Sequence, residues 1–326
     1  MKYNGCSGTA VNLMKHNLRF HLLILLMLLS LTLPACSDPD KRAYINFKVI
    51  DPEAAATNNQ PQPIDADNLL RIAVCATLSQ QDTIEAYRLI SSHISTRMGR
   101  ETVLLERKSY AEINVLLANG GADVAFLANG AYNSYTSVED IEPLVMQVRF
   151  GVPYYFSYII VHEDSTIQTL EDLRGRTFAF TDPLSFSGYL VPVHMLRQIA
   201  EKPENLFSNY IFTYSHEKSL AAVAGKVVDG AAIGSHVYSE SQEKRDGLAG
   251  SVRILAVSEK SGTGPVVVRK SLGADAIGRL KTIFLQMHQE AELREAMDSL
   301  LVDYYIEPDM TLYDFPRKVI DELGEK

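Results

Sequence analysis

Tryptophan is absent from the 326-residue sequence, cysteine occurs three times, and basic residues are in deficit, 31 Lys and Arg against 40 Asp and Glu. Three cysteines are too few for a disulfide framework or a four-cysteine metal site. A formal charge of −9 excludes a broad basic face for nucleic acid. It leaves room for a small anionic ligand, which needs only a few local groups. Common catalytic signatures are missing too: there is no Gly-x-Ser-x-Gly, P-loop, His-Glu-x-x-His or Gly-x-Gly-x-x-Gly. The eight histidines are scattered. With 46% hydrophobic and 22% charged residues the composition is that of a globular protein, and the length suits about two domains.

The charge is unevenly placed. Residues 1–35 hold Lys2, Lys15 and Arg19 and no acid, and Phe20 to Leu33 is almost wholly apolar. A basic start, a short apolar core and small residues before a cut describe a secretory signal, and the core is short for a membrane span of about 20 residues. The ending Leu33-Pro34-Ala35-Cys36 resembles the lipobox of bacterial lipoproteins, which implies that Cys36 becomes a lipid-modified amino terminus. Met14 opens a more ordinary leader and is an alternative start. Removing the basic leader takes the charge from −9 to −12. Residues 36–69 read as a flexible linker, with Pro52 and the Asn58–Pro63 run giving polar, proline-rich chain without period.

From Leu69 onward β-rich runs alternate with helical patterns. Leu70–Cys75, Thr102–Glu106, Asp123–Leu127 and Leu144–Phe150 read as strands. Helices open at Ser79 and Ser109, each a cap with an acid three residues on. The pattern restarts with a long strand, Tyr155–His162, then Thr177–Thr181, Asn209–Tyr214, Asp229–Ile233 and Arg253–Val257, with Val266–Arg269 last before a helical carboxyl end. Repeated β-α-β predicts an α/β fold of two mostly parallel sheets flanked by helices, joined by crossovers at Tyr154–Ser157 and Val257–Gly264. One lobe is expected over 70–153 and 264–326, the other over 154–263, with the ligand in the cleft at the carboxyl ends of the strands.

The densest candidate is Thr181–Pro192, which leaves a strand and opens a helix. Free N–H groups and the dipole at a helix start make a ready anion site. Ser185 and Ser187 add hydroxyls, and Gly188 permits close backbone approach. By spacing alone the stretch reads first as a plain helix cap. Cys75, inside an apolar strand, reads as a core residue.

This run resembles the Asp-Pro-x-Ser-x-Ser-Gly-x-x-x-Pro signature of the phosphonate, phosphite and phosphate-binding components of ABC transporters, the PhnD-like family. Asp123-Val124-Ala125, the Tyr155–Val161 strand, Leu170–Gly175 and Ser215-His216-Glu217 followed by Ala221–Asp229 resemble its other elements in the same order. The resemblance implies a two-lobe periplasmic-binding-protein fold and a small anion held by Ser185, Ser187, Gly188 and neighbouring N–H groups. His216 would add a donor, and Tyr110 and Tyr155 would close over the ligand. Thr77, Asn129 and His236 are expected to complete the lining.

Phe186 stands where the family often carries a small hydroxyl residue, which removes a donor. The positions matching acids that hold an amine in aminoalkyl phosphonate binders are His236 and Gly264, neither acidic. A compact oxyanion is therefore expected: phosphite, phosphate or an alkylphosphonate, held by uncharged donors. The implied protein is a monomeric, exported, lipid-anchored binding component partnered by a membrane permease, without cofactor or metal. A ligand-sensing subunit and an enzyme on the same scaffold are the alternatives. Metabolic labelling with palmitate is expected to tag the protein, and Cys36→Ala to abolish the tag; a labelled variant excludes Cys36 as the anchor.

Overall fold

Every second residue of Leu69–Cys75 is buried against a different layer, which is what a strand covered on both faces requires. The structure is a computed structural model and describes residues 68–75 and 80–324, with side chains in the first helix from Thr83 onward. The leader, Cys36, the linker through residue 67 and Thr77 lie outside the described residues.

The first sheet has six strands. They are β1 (Leu69–Cys75), β2 (Glu101–Arg107), β3 (Val124–Phe126), β4 (Ile141–Val148), β12 (Pro265–Arg269) and β13 (Tyr304–Ile306), in the order β13-β4-β12-β3-β1-β2. The second has five: β6 (Ser157–His162), β7 (Thr177–Phe180), β8 (Asn209–Phe212), β9 (Gly230–Gly234) and β10 (Val252–Val257), in the order β10-β6-β9-β7-β8. The short strands β5 (Tyr154–Tyr155) and β11 (Ser261–Gly262) pair antiparallel as the two segments pass between the sheets.

Helices cover both faces. Those packed on or beside the first sheet are α1 (Gln80–Met98), α2 (Tyr110–Ala118), α3 (Asn129–Asn133), α8 (Ala274–Gln286) and α9 (Arg294–Ser299). The second half contains α4 (Val191–Gln198), α5 (Pro203–Leu206), α6 (His216–Ala224) and α7 (Ser235–Lys244). The last helix, α10 (Asp314–Gly324), touches both α3 and α4.

In β1, Leu70, Ile72 and Val74 pack with Ile90 and Ile94 of α1 and Phe284 of α8, whereas Ala73 and Cys75 pack with Ile113 and Leu117 of α2. In the second sheet Ile160, Ala231 and Ile233 meet Leu220 and Val223 of α6, and Ile159, Val161, Phe178 and Phe180 meet Leu196 of α4. Gly99, at φ +65°, ends the first helix as its position suggests.

Three expectations are corrected. The sheets are mixed, not mostly parallel: β1 runs parallel to β2 and β3, and β7 to β8 and β9, but β12, β4 and β13 join the first sheet antiparallel, as β6 and β10 join the second. Segments that cross between sheets and return reverse direction on arrival, which repeated β-α-β does not reveal. Tyr155–His162 is two strands, because the backbone of Phe156 leaves the ladder to bond Ser235 in both directions, N–H to Oγ and C=O from N–H. The strand β13 adds an edge that the helical pattern of the carboxyl end conceals.

The two halves meet at very short range. A Cβ on Gly130, in α3, would lie 2.2 Å from the Leu184 carbonyl oxygen and 2.8 Å from the Phe186 nitrogen, both rigid backbone atoms of the other half. Gly130→Ala is expected to cost about 1–3 kcal/mol, the usual penalty for overpacking. A urea melt should show a lower midpoint; an unchanged midpoint would mean the contact is not maintained in solution.

Candidate ligand-binding site

The turn after β7 is built by Asp182. Its Oδ1 accepts from Leu184 N–H at 2.7 Å, and its main-chain oxygen accepts from Ser185 N–H at 2.8 Å. Ser185 then caps the next turn, its Oγ accepting from Gly188 N–H at 3.0 Å. That turn, Phe186–Leu190, is a wide π-type turn and not the first turn of a regular helix, a further correction: both Tyr189 and Leu190 N–H point to Ser185 O. The reason is local. Pro192 has no N–H to offer the Gly188 carbonyl, which instead accepts from Thr181 N–H at 3.1 Å. A Cβ on Gly188 would fall 1.3 Å from Thr181 Oγ1, so only glycine fits.

His216 opens α6 behind the Ser215 cap. Its Nδ1 accepts from Gly234 N–H at 3.0 Å, and a backbone N–H can only donate, so the ring proton sits on Nε2. Nε2 lies 3.4 Å from Ser185 Oγ, at the wall of a cavity of about 90 Å³ between the two halves. Burial first, then the Arg149 charge, lowers the His216 pKa to about 4, so at neutral pH it is an uncharged donor. His236 is lowered well below its usual range by the same causes, with His216 adding to them, and its buried Nδ1 has no hydrogen-bond partner. Its ring stands edge-on to Tyr155, with centroids 5.5 Å apart.

The structure brings most of the expected residues together. Ser185, Phe186, Ser187, His216, Tyr110, Tyr155, Asn129 and His236 all line this cavity. Tyr155 hydrogen-bonds Ser187, and the Ser187 carbonyl accepts from Ser157 Oγ at 2.6 Å. Gly188 stands behind the wall, supplying the turn its shape. Asn129 differs in role from the expectation: its Nδ2 donates to Gly262 O at 2.7 Å and its Oδ1 accepts from Asn133 at 3.1 Å, so its amide braces the crossing strand β11. Phe186 turns its ring onto Phe315 of α10, with centroids 5.8 Å apart.

Sequence reasoning missed Arg149, Gln147 and Tyr87. The expectation of uncharged donors alone is therefore corrected, because Arg149 places a guanidinium in the wall. Burial pushes its pKa down, yet guanidinium remains protonated in proteins. A signal was present. In Leu144–Arg149 the polar residues Gln147 and Arg149 alternate with Met146 and Val148, the pattern of a strand with one face on a polar site. Cys75 also lines the cavity, but burial pushes its thiol up to about 12, which keeps it an unreactive core thiol.

Because the fold holds His216 neutral down to about pH 4 while an unfolded chain protonates it near 6.5, the unfolded state binds more protons between those values. Stability is fully present above about pH 6.5 and falls by about 3 kcal/mol as pH approaches 4. Melting temperatures measured from pH 7.5 to 5 in a buffer free of oxyanions should drop more steeply for the native sequence than for His216→Asn. Parallel curves would remove His216 as the source.

A family model described as "ABC transporter, phosphonate, periplasmic substrate-binding protein" matches residues 72–313. The phosphate-import protein PhnD of Mycolicibacterium smegmatis is 24% identical over 247 residues, 72% of this chain and 77% of that protein. Among solved structures, a binding protein component of an ABC phosphonate transporter from Pseudomonas aeruginosa shares the fold at a TM-score of 0.69 and 24% identity, over 77% of this chain and 85% of that one. PhnD1 from Prochlorococcus marinus, in complex with methylphosphonate, shares it at 0.70 and 15%, over 80% and 100%. Among the described residues no helix is long and apolar enough to cross a membrane. The match over most of the body, on a fold whose cleft holds the signature turn, makes this chain a member of the periplasmic substrate-binding proteins of phosphonate ABC transporters.

Proposed function

We propose that the protein captures a small phosphorus oxyanion (phosphite, phosphate or an alkylphosphonate) in the cleft and delivers it to a membrane permease, while tethered through a lipid on Cys36. It acts by binding and release, without turnover. The lobes are divided at about residues 153 and 264, where the chain crosses. The observation that carries the ligand class is a cavity of about 90 Å³ walled by Ser185, Ser187, His216 Nε2–H and Arg149, with no carboxylate in its lining among the described residues. That small volume suits a compact ion.

Micromolar affinity needs about 8 kcal/mol. Hydrogen bonds to a charged group contribute about 1.5–3 kcal/mol each, so a handful of donors suffices even after ordering costs. Their strength rises where water is excluded.

A ligand at a hundred times its dissociation constant stabilises the folded state by about 2.7 kcal/mol. A thermal-shift panel of phosphite, phosphate, methylphosphonate, sulfate and small carboxylates should give a selective rise with a phosphorus compound. Ser187→Ala should shrink that rise while the unliganded melting temperature moves by only a few degrees. The reading is wrong if no phosphorus oxyanion shifts the transition.

A further inference from the structure

Arg149 sits at the end of β4, where the chain leaves the first sheet for the crossing strand β5. A cation there is unusual in two respects. Its Nε and Nη2 both donate to Gln147 Oε1, at 3.0 and 2.5 Å, and no other side-chain hydrogen bond is made by the guanidinium among the described residues. No ion pair engages it either among those residues, and unlike the arginines that are so paired it lines the cavity. Its charged neighbours in the wall are absent: the groups that feel its field are Tyr87, Tyr110, Tyr155 and Tyr305, and the two neutral histidines.

A half-buried cation without a counter-charge is unfavourable, and among the described residues no carboxylate pairs with it. Gln147 does something else. It is two residues back on the same strand face, and its amide oxygen pins one edge of the fork. The Nη1 side is left unbonded. Guanidinium pairs with oxyanions through such a planar edge better than an ammonium can. Nothing in the cavity wall offers a carboxylate to a ligand ammonium.

We propose that Arg149, oriented by Gln147, is the specificity-determining residue of this site: it pairs with the charge of the bound oxyanion and selects compact anions lacking an amine over zwitterionic aminoalkyl phosphonates. This inference rests on the anion-binding reading above and adds to it the residue that enforces the preference for amine-free anions. Gln147 is a positioning residue whose contribution acts through the guanidinium. The other wall donors are uncharged and do not by themselves distinguish a net anion from a zwitterion.

Isothermal titration calorimetry with phosphite, methylphosphonate, sulfate and 2-aminoethylphosphonate tests this on the native protein, Arg149→Gln, Arg149→Lys and Gln147→Leu. The native protein is expected to prefer phosphite or methylphosphonate over 2-aminoethylphosphonate by at least a hundredfold. Arg149→Gln should lose at least a hundredfold for the amine-free anion while changing 2-aminoethylphosphonate less than tenfold, so that the preference collapses. Arg149→Lys should keep part of the affinity. Gln147→Leu should weaken the amine-free anion while leaving its charge preference.

The unliganded Arg149→Gln protein should melt at the native temperature or above it, since it loses a half-buried charge that has no ion-pair partner among the described residues. Arg149→Gln binding within threefold of native, or an unchanged preference, overturns the inference. If the native protein binds sulfate but no phosphorus compound, the functional reading fails, and the same comparison made with sulfate still decides Arg149. A native protein that binds none of these anions overturns both.

Discussion

A single carboxylate holds the two halves of the site in register. Asp182 Oδ1 accepts from Leu184 N–H and shapes the turn that carries Ser185 and Ser187, while Oδ2 accepts, at 3.3 Å, from Tyr110 N–H at the start of α2 in the other half. Desolvation raises the Asp182 pKa, and these two bonds counter part of that rise. The carboxylate also lies where a helix start favours negative charge. With the turn fixed, Ser185 can cap Gly188, Gly188 can lie against Thr181, and the backbone of Leu184–Phe186 can rest on Gly130.

The electrostatics of the cavity follow from which groups remain ionised. Two histidines that would be half-charged near their ordinary pKa are held neutral by burial and by Arg149, so they offer ring N–H groups and no competing charge. Among the described residues the lining therefore holds a single strong cation among uncharged donors. That cation and Tyr155 lie on the outgoing crossing, and Thr263 lies on the returning one, where its Oγ1 donates to Gln147 O at 2.5 Å. The segments that join the halves also form part of the cavity wall.

Much of this was legible in the sequence. The apolar run Leu70–Cys75 and the cap at Ser109 locate elements because each is a local effect. The signature turn was legible because Ser185, Gly188 and Pro192 act within a few residues of one another. What local pattern did not show depends on distant partners. Strand direction in the mixed sheets is set by where the crossings return. The bracing role of Asn129 needs Gly262, 133 residues away. The alternation of Gln147 and Arg149 marks a polar strand face, but only the fold puts that face into a cavity whose described lining holds no carboxylate.

Phe186 gives the last consequence. It stands between Ser185 and Ser187, yet its ring packs on Phe315, in a cluster with Val191 and Val319. His194 and Glu322 meet nearby at 3.1 Å, and Arg197 donates to the Glu322 carbonyl at 2.6 Å. The signature loop and the carboxyl-terminal helix therefore form one heritable module. Grafting the loop of a relative into this chain, with a small hydroxyl residue at 186, would open a void beneath Phe315, and the graft would be compatible only if the terminal helix travelled with it.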